Sequence, residues 1–323
     1  MSRSSIRLLF ALFVVTTAAG AAPATDRATA ASDDLLTLQR LDQRVANTGY
    51  RLTRAATPFC SERMMLSGVV LHGIEQYGPA SRDDAQRTFG LDDALAVLAV
   101  VHGSPAEAAG LRAGDAILAV DGRNVPAPLG AQGPTARVEA VARAIERSKA
   151  ATLTFDIRRG DVRQRIIFVP EQGCVTHFWV RPSAHLGAEA DGHDVEITSG
   201  YVERADDDAA LAIVLAHELA HDILAHRQQL ARLGAHHGFA RYFGHSAQLN
   251  REAELEADRL SVPIIGCAGY ALDDALAFRE RLWRDPLADA LLRAPDHPAA
   301  RQRLDAIRQA ITAFRADPAM CRG

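Results

Sequence analysis

The sequence predicts an α+β protein of several domains, in which a small β-rich domain precedes a mainly helical one. Its 323 residues are enough for two or three domains. Between residues 95 and 170, short apolar runs are separated by Gly-Asp and Asp-Gly pairs, which is typical of a small antiparallel sheet. The apolar run 209–226 and the alanine- and glutamate-rich run 251–258 favour helices instead. We therefore divide the chain into residues 1–24, 25–65, 66–170 and 171–323.

The composition is that of a folded globular protein, with 48% hydrophobic and 24% charged residues. These fractions exclude a disordered, collagen-like or polytopic membrane chain. The formal net charge of −4 leaves no basic excess that could neutralise phosphates. We therefore expect no nucleic-acid partner.

Residues 1–24 are predicted to be a cleaved signal peptide. Arg3 and Arg7 flank the start of the apolar run Leu8–Ala19, and Ala22-Pro23-Ala24 offers a cleavage site. A membrane-spanning helix needs about 20 apolar residues, so we expect no stable membrane span. An uncleaved membrane tether is the alternative. The mature protein is thus expected in the periplasm or outside the cell.

The four cysteines agree with export, because disulfides persist in oxidising compartments and none of these cysteines belongs to a Cys-x-x-Cys pair. They allow three pairings, and free buried thiols are the alternative. On the hypothesis that each bond closes one domain, we predict the pairs Cys60–Cys174 and Cys267–Cys321.

The segment 25–65 is predicted to begin with an amphipathic helix over Asp33–Ala56. Its apolar residues recur at helical spacing, namely Leu35, Leu38, Leu41 and Val45. We expect this face to pack against the C-terminal domain.

The region 66–170 carries clear turn and cap signals. Ser104 is suited to cap a helix that starts at Pro105, and Glu107 can complete the cap. Gly110 can end this helix, because glycine adopts the positive φ needed there. The later predicted elements are, in order, strand Ala116–Val120, helix Arg137–Lys149 and a hairpin of strands Leu153–Ile157 and Val162–Val169.

The run Ser104–Gly122 resembles a PDZ domain of the bacterial type, and the resemblance extends over residues 66–170. PDZ domains bind an extended peptide by adding it to a sheet edge beside the longer helix. The resemblance implies a groove between the strand around Val97–Val101 and the helix Arg137–Lys149. The nearest match to the family's carboxylate-binding loop is Phe89-Gly90-Leu91, which has one glycine instead of two. Free C-termini, internal segments and a purely architectural role therefore stay open.

The apolar run 209–226 contains His217-Glu218-Leu219-Ala220-His221, an H-E-x-x-H motif. Residues four apart lie on one helix face, so both imidazoles can bind one metal ion. Zinc suits two imidazoles, and Glu218 is then placed where it can take a proton from a bound water. Histidines of a buried core are the alternative interpretation.

A third ligand decides the class of metal site. A metzincin is excluded, because Arg227 stands where its third histidine would be. Glu254 can complete a site of two histidines and one glutamate, which leaves a fourth position open as in catalytic zinc. Asp258, one turn later, can accept the outer N–H of a ligand histidine. The alternative, a solvated acidic helix face, fits Glu252 and Glu256 better.

These motifs resemble the gluzincin zinc metallopeptidases of the HtpX, CAAX prenyl protease, Oma and BepA type. A further segment agrees, since Asp296-His297-Pro298 followed by Arg303 is similar to a late motif of that family. The resemblance covers about residues 180–315 and implies a mainly helical zincin domain with one Zn²⁺ per chain. The implied zinc ligands are His217, His221 and Glu254.

The resemblance also implies a role for four other residues. Glu218 would be the general base and acid of catalysis. His297 would lie near the metal, either as a stabiliser of the oxyanion or as a fourth ligand. Asp258 would orient a ligand histidine, and Arg303 would order the region around it.

Two neighbouring segments are predicted to shape the cleft. Gln228–Asn250, which contains His236, His237 and His245, is interpreted as a mobile cover or plain surface, with extra metal ligands as the alternative. Val195–Ser199 is predicted to be a strand, and the resemblance implies that it is an edge that pairs with the substrate backbone.

The function these observations predict is that of an exported zinc-dependent metalloendopeptidase. Its expected substrates are polypeptides, either envelope proteins or misfolded proteins, and the PDZ-like region would bind them or regulate cleavage. One alternative is a zinc-bearing peptide-binding or chaperone-like protein that acts through the PDZ groove. Another is a zinc hydrolase of cell-wall peptides.

Overall fold

The structure is a computed structural model that describes residues 24–128, 133–234, 244–285 and 297–322. Apart from its last residue, the predicted signal peptide lies outside these ranges, as do His236 and His237. Among the described residues, strands occur only up to Thr198, and the chain beyond is helical. The predicted order of a β-rich region before a helical region is therefore confirmed.

The N-terminal helix α1 (Ala24–Ala55) contacts both regions. Its predicted apolar face packs against the C-terminal region only in part: Leu41 and Val45 lie in the core of that region, whereas Leu35 packs in an apolar cluster of the β-rich region. Polar side chains of the helix also bind the β-rich region. The Nε2 atoms of Gln39 and Gln43 donate 2.8 Å hydrogen bonds to two consecutive outward carbonyls of one strand, those of Leu98 and Val100.

The β-rich region is built on one antiparallel sheet of six strands. The order is β2-β3-β4-β6-β7, with β5 paired to β4. The strands are β2 (Val69–His72), β3 (Leu95–Val100), β4 (Ala116–Val120), β5 (Arg123–Asn124), β6 (Leu153–Arg159) and β7 (Val162–Phe168). Leu153, Phe155 and Ile157 alternate along β6 and are fully buried, as expected for a strand with one face in the core. The strands predicted from residues 116, 153 and 162 onward are confirmed.

Three helices pack against this sheet, namely α2 (Arg82–Phe89), α3 (Pro105–Ala108) and α4 (Ala136–Glu146). Helix α3 begins as predicted, because Ser104 Oγ accepts a hydrogen bond from the Glu107 amide at 3.2 Å. The Glu107 carboxylate in turn accepts from the Gly103 amide at 2.7 Å. Gly110 follows with a φ of +89°, a conformation that strains residues with a side chain.

The β-rich region is joined to the rest of the chain through a two-stranded pair. Strand β1 (Arg63–Leu66) runs antiparallel to β8 (Glu171–Cys174), with Leu66 opposite Glu171. The two connections of the region therefore lie side by side. The disulfide Cys60–Cys174 adds a covalent link at the same place.

Both predicted disulfides are confirmed, since Cys267 is bonded to Cys321 as well. The second bond joins the C-terminal end of one helix to the segment after the last described helix, across 54 residues.

We expect the double variant Cys267→Ser/Cys321→Ser to lose about 2–4 kcal/mol of unfolding free energy, because the crosslink restricts the unfolded chain. Guanidinium unfolding measures this change, and an unchanged midpoint would contradict it.

A second sheet has three strands, β9 (His177–Arg181), β10 (Ala188–Ala190) and β11 (Asp194–Thr198). The strand predicted over Val195–Ser199 is β11, but its predicted edge position is wrong. It pairs antiparallel with β10 on one side and parallel with β9 on the other, so its backbone groups are used within the sheet. The edge strands are β9 and β10.

Within the described part of the C-terminal region, five helices pack around the central α6 (Asp208–Ile223). The others are α5 (Ser199–Arg204), α7 (His226–Arg232), α8 (Gly244–Cys267), α9 (Leu272–Leu282) and α10 (Ala300–Ala316). Helices α8 and α10 approach closely at Gly266, where a Cβ atom would lie 2.3 Å from the Phe314 ring. Glycine at this position therefore sets the spacing of these helices.

Within the described ranges, no single helix is long and apolar enough to cross a membrane. The bent pair Asp208–Ile223 and His226–Arg232, with a 45° angle between its helices, meets that test by length and composition only.

Candidate functional site

Helix α6 carries the H-E-x-x-H motif into the core of the C-terminal region. Asp207 is the N-cap residue of the helix, and its side chain accepts a 2.7 Å hydrogen bond from the Ala210 amide. Every residue from Ala209 to Ala220 is buried except Glu218, which is half-buried. The motif glutamate is therefore the residue of this stretch that remains accessible.

Three predicted ligands converge into a group that could hold a metal ion. One ligand atom from each of His217, His221 and Glu254 lies within 4.8 Å of the others. The Nε2 atoms of the two histidines are 3.2 Å apart, and each lies 3.4 Å from a carboxylate oxygen of Glu254. Two imidazoles and one carboxylate are a donor set that zinc accepts readily. The residues thus fit the predicted metal.

Asp258 and Arg303 lie behind this group and are both buried. Asp258 Oδ1 is 3.1 Å from His217 Nδ1, on the side of the ring that faces away from His221 and Glu254. Arg303 donates two hydrogen bonds to the Asp258 carboxylate, at 2.6 and 2.7 Å, and its Nη1 lies 3.0 Å from Glu254 Oε2. The arginine therefore contacts both acidic residues.

These contacts explain how two carboxylates remain ionised inside the protein. Burial has the largest single effect and raises the pKa of Asp258 and of Glu254, but the guanidinium of Arg303 and the hydrogen bonds to these carboxylates together outweigh it. With further hydrogen bonds from His217, the pKa of each carboxyl group is held well below its usual value. Glu254 is consequently available as a charged metal ligand.

The end of α6 is fixed by Asp222, a residue that sequence reasoning missed. Its two carboxylate oxygens accept hydrogen bonds from Thr176 Oγ1 at 3.0 Å and from the Gly192 amide at 2.8 Å. Thr176 precedes β9, and Gly192 lies between β10 and β11. Asp222 therefore ties the motif helix to the three-stranded sheet.

A second missed pair is His226 and Glu256. His226 begins α7 and is 3% exposed, and its Nδ1 lies 2.9 Å from Nδ1 of His221. Its Nε2 lies 3.2 Å from a carboxylate oxygen of Glu256. Burial and the neighbouring His221 lower the pKa of His226. The sequence signal was a histidine at the end of an otherwise apolar run, which did not distinguish this position from a helix end.

The other predicted residues that the structure describes do not belong to the group of three candidate metal ligands. His297 is half-buried and precedes α10, and the metal-type group found among the described residues does not include it. Its predicted role near the metal stays a prediction. His245 is exposed near the start of α8, and part of the predicted cover, residues 235–243, lies outside the described ranges.

The predicted peptide groove needs a correction. Strand β3, predicted to line the groove through Val97–Val101, lies inside the sheet between β2 and β4, and its outer carbonyls are bound by α1. Of the two strands at the ends of this sheet, β2 and β7, it is β2 that contacts α4. The loop before β2 contains Gly68, whereas Phe89-Gly90-Leu91 contains the glycine that ends α2 with a φ of +65°. That segment therefore does not have the position of a carboxylate-binding loop.

The groove beside β2 lies where the two regions of the molecule meet. A cavity of about 150 Å³ is lined by β2, by Val138, Ala142 and Ile145 of α4, and by Phe178 and Trp179 of β9. A wider cleft of about 700 Å³ shares part of this lining and continues between α4 and β9. A peptide added to β2 would thus lie close to the C-terminal region.

Comparison with known families identifies part of the β-rich region. Residues 97–159 match a family described as a PDZ domain. The chain contains a PDZ domain. This match supports a peptide-binding or regulatory role for the β-rich region. A comparison with curated proteins found no match.

The PDZ domain is connected to the second sheet by a half-buried histidine. His177 of β9 pairs with Glu146 at the end of α4, at 2.9 Å, and with Asp194 of β11, at 3.0 Å. Burial lowers the pKa of His177, but the hydrogen bonds that its ring donates to both carboxylates, with their negative charges, together outweigh burial and raise the pKa to about 10. The histidine is therefore charged at neutral pH.

This ion pair predicts a pH dependence of stability. The charged His177 stabilises the fold fully below pH 6.5, the usual pKa in an unfolded chain, and this contribution is lost as pH rises towards 10. Compared with His177→Gln, the native protein should lose at most about 1.4 kcal/mol of unfolding free energy per pH unit in this window. Urea unfolding at pH 7 and 9.5 measures the difference. The variant His185→Gln, at an exposed position, is the control, and equal slopes for all three proteins would contradict the assignment.

Proposed function

We propose that this chain is an exported zinc-dependent metalloendopeptidase that hydrolyses peptide bonds of envelope or misfolded proteins. The observation that carries the proposal is the convergence of His217, His221 and Glu254 beside the accessible Glu218. A site with three protein ligands and an open fourth position is the arrangement used by catalytic zinc. The likeness of these motifs to gluzincin metallopeptidases supports the same proposal.

Each residue of the site has a distinct task in the proposed reaction. His217, His221 and Glu254 hold the metal ion, which supplies Lewis acidity at the scissile carbonyl when it is bound. Glu218 takes a proton from the attacking water and returns it to the leaving amine as the C–N bond breaks. His297 is proposed to stabilise the developing negative charge on the carbonyl oxygen, or else to be a fourth ligand.

Asp258 and Arg303 support this chemistry without contacting the substrate. Asp258 accepts the outer N–H of His217, which leaves the Nε2 lone pair of that ring for the metal. Arg303 offsets the charge of Asp258 and Glu254, so that both can stay ionised in a buried site.

The PDZ domain is proposed to bind the polypeptide that is cleaved or to regulate access to the site. The free edge of β2 can pair with an extended segment, and the groove opens into the cleft between α4 and β9. The proposed pairing strand at the metal site is β10, because it is the edge strand that packs against α6.

Zinc content and cleavage of unfolded casein test this function directly. We expect the purified protein to hold one zinc ion per chain and to cleave casein. Cleavage should stop when a chelator removes the metal and return when zinc is added. A protein that binds no zinc under these conditions would contradict the proposal.

The PDZ match favours a second candidate, a zinc-bearing peptide-binding or chaperone-like protein that acts through the groove. This candidate predicts bound zinc without cleavage. It also predicts that suppression of casein or citrate synthase aggregation survives replacement of Glu218. A loss of that suppression together with the loss of cleavage would favour the peptidase.

Export is proposed from the two disulfides, which form in oxidising compartments. Cell fractionation followed by N-terminal sequencing of the mature protein tests it. We expect periplasmic or secreted protein that begins after residue 24. A cytoplasmic protein with reduced cysteines would contradict export.

A further inference from the structure

The two ligand histidines of the candidate metal site have the same orientation. In each ring Nε2 faces Glu254, and Nδ1 faces a second buried residue. For His217 that residue is Asp258, a carboxylate, which can only accept a hydrogen bond when it is ionised. For His221 that residue is another histidine, His226, whose ring nitrogens can either donate or accept a hydrogen bond.

The partner of His226 on its far side settles where the protons lie. Its Nε2 is 3.2 Å from the Glu256 carboxylate, so Nε2 carries the hydrogen and donates it. A neutral His226 then has a lone pair on Nδ1. The Nδ1 atoms of His226 and His221 are 2.9 Å apart, and one hydrogen must lie between them. It therefore belongs to His221.

This arrangement leaves the Nε2 lone pair of His221 free, pointing towards His217 and Glu254. The reverse arrangement would put a hydrogen on Nε2 of His221, where a metal ion is to bind. Helix α8 supplies both Glu254 and Glu256, so the same helix presents a ligand and fixes the outer hydrogen bond of another ligand.

We propose that His226 is a positioning residue that holds His221 in the tautomer able to bind the metal, and that Glu256 anchors His226. The inference rests on the proposed metal site. It assigns to His226 the role for His221 that Asp258 has for His217, with an imidazole in place of a carboxylate. Loss of such an outer partner typically weakens metal binding about 10–100-fold.

Three substitutions of His226 separate its hydrogen bond from its bulk. Asparagine places an oxygen acceptor near the position of Nδ1, glutamine places one near Nε2, and leucine has neither. We expect His226→Asn to keep the zinc dissociation constant within about threefold of the native value. We expect His226→Gln and His226→Leu to raise it about 10–100-fold. Competition with a chelator of known affinity measures these constants.

A second readout does not depend on enzyme activity. Nitrogen-15 spectra of the imidazoles report which ring nitrogen carries the hydrogen. In the metal-free native protein and in His226→Asn, we expect the hydrogen of His221 on Nδ1. In His226→Leu this preference should be lost. A structural role of the side chain would not produce that pattern, because leucine and asparagine have similar sizes.

A matched pair on α8 tests the anchor. Glu256→Ala removes the acceptor of His226, whereas Glu252→Ala removes an acidic residue of the same helix that pairs with Gln248 instead. We expect weaker zinc binding from the first variant alone.

The outcomes distinguish this inference from the proposed function. Equal zinc affinity of His226→Leu, His226→Asn and native protein would overturn the inference and leave the metal site intact. A His221 hydrogen on Nε2 in the native protein would also overturn it. Native protein that binds no zinc would overturn both the metal site and the role of His226.

Discussion

Replacing Glu218 with glutamine is expected to slow casein cleavage about 10²–10⁴-fold while one zinc ion per chain stays bound. Glutamine is similar in size to glutamate, but it cannot take a proton from the attacking water. Glu218 does not belong to the group of three ligands, so the metal should be retained. Because Glu218 is half-buried on a helix whose other residues there are buried, the change should leave the core packing intact.

The matched control for this prediction is Glu203→Gln. Glu203 is exposed on α5, and its replacement should leave cleavage and zinc content unchanged. Initial rates of casein cleavage and zinc content are measured on all three proteins. Cleavage by Glu218→Gln at the native rate would show that another residue is the base, and loss of zinc would show that Glu218 is itself a ligand.

Replacing Arg303 with methionine is expected to lower the free energy of unfolding by about 3–5 kcal/mol. The side chain is 4% exposed and contacts the carboxylates of Asp258 and Glu254. Without the guanidinium, two negative charges would remain in a buried site, and desolvation of each would no longer be offset. The measurement is urea unfolding in the presence of a chelator, so that zinc binding does not contribute.

Arg308 provides a control on the same helix. It also pairs with two carboxylates, those of Glu280 and Asp305, but Arg308 and Asp305 are about half exposed to solvent and Glu280 is half-buried. We expect Arg308→Met to cost at most about 1 kcal/mol, because water screens exposed ion pairs. Equal losses for the two variants would contradict the view that burial decides the contribution of Arg303. Restoration of stability in Arg303→Met by zinc would show that the cation replaces the lost charge.

The metal group was predictable because its geometry is mostly local. His217 and His221 are one helical turn apart, and that spacing alone places them on one face. The position of Glu254 depends in addition on the packing of α8 against α6, which no spacing in the sequence shows. The sequence nevertheless indicates Glu254 and Asp258 as candidates, because they lie one turn apart in a predicted helix and resemble a family motif.

The missed contact between His226 and His221 depends on a local bend of the backbone. The chain bends after α6 at Ala225, which has a φ of +51°, and this bend brings His226 back towards His221. Alanine gives no sign of a left-handed conformation, so the contact could not be predicted from the sequence.

The two strand errors have a related cause. Strand β10 has three residues and strand β2 has four, too few for a periodic pattern. Because these two short strands give no sequence signal, the sequence predicts β11 as an edge strand and β3 as the strand that lines the groove. Strand order in a sheet is set by packing between distant segments, and length and alternation identify strands without ordering them.

The antiparallel pairing of β1 with β8 determines how the PDZ domain is inserted in the chain. Together the two strands are a β-hairpin whose turn has been replaced by an entire PDZ domain, since Leu66 and Glu171 face each other across the pair. Opposed Cα atoms in such a pair are only about 5 Å apart, a gap that a two-residue turn closes. A short turn could therefore join β1 directly to β8 in a chain without residues 67–170. The PDZ domain is thus an insertion whose two ends meet, and it leaves the order of the other described helices and strands unchanged.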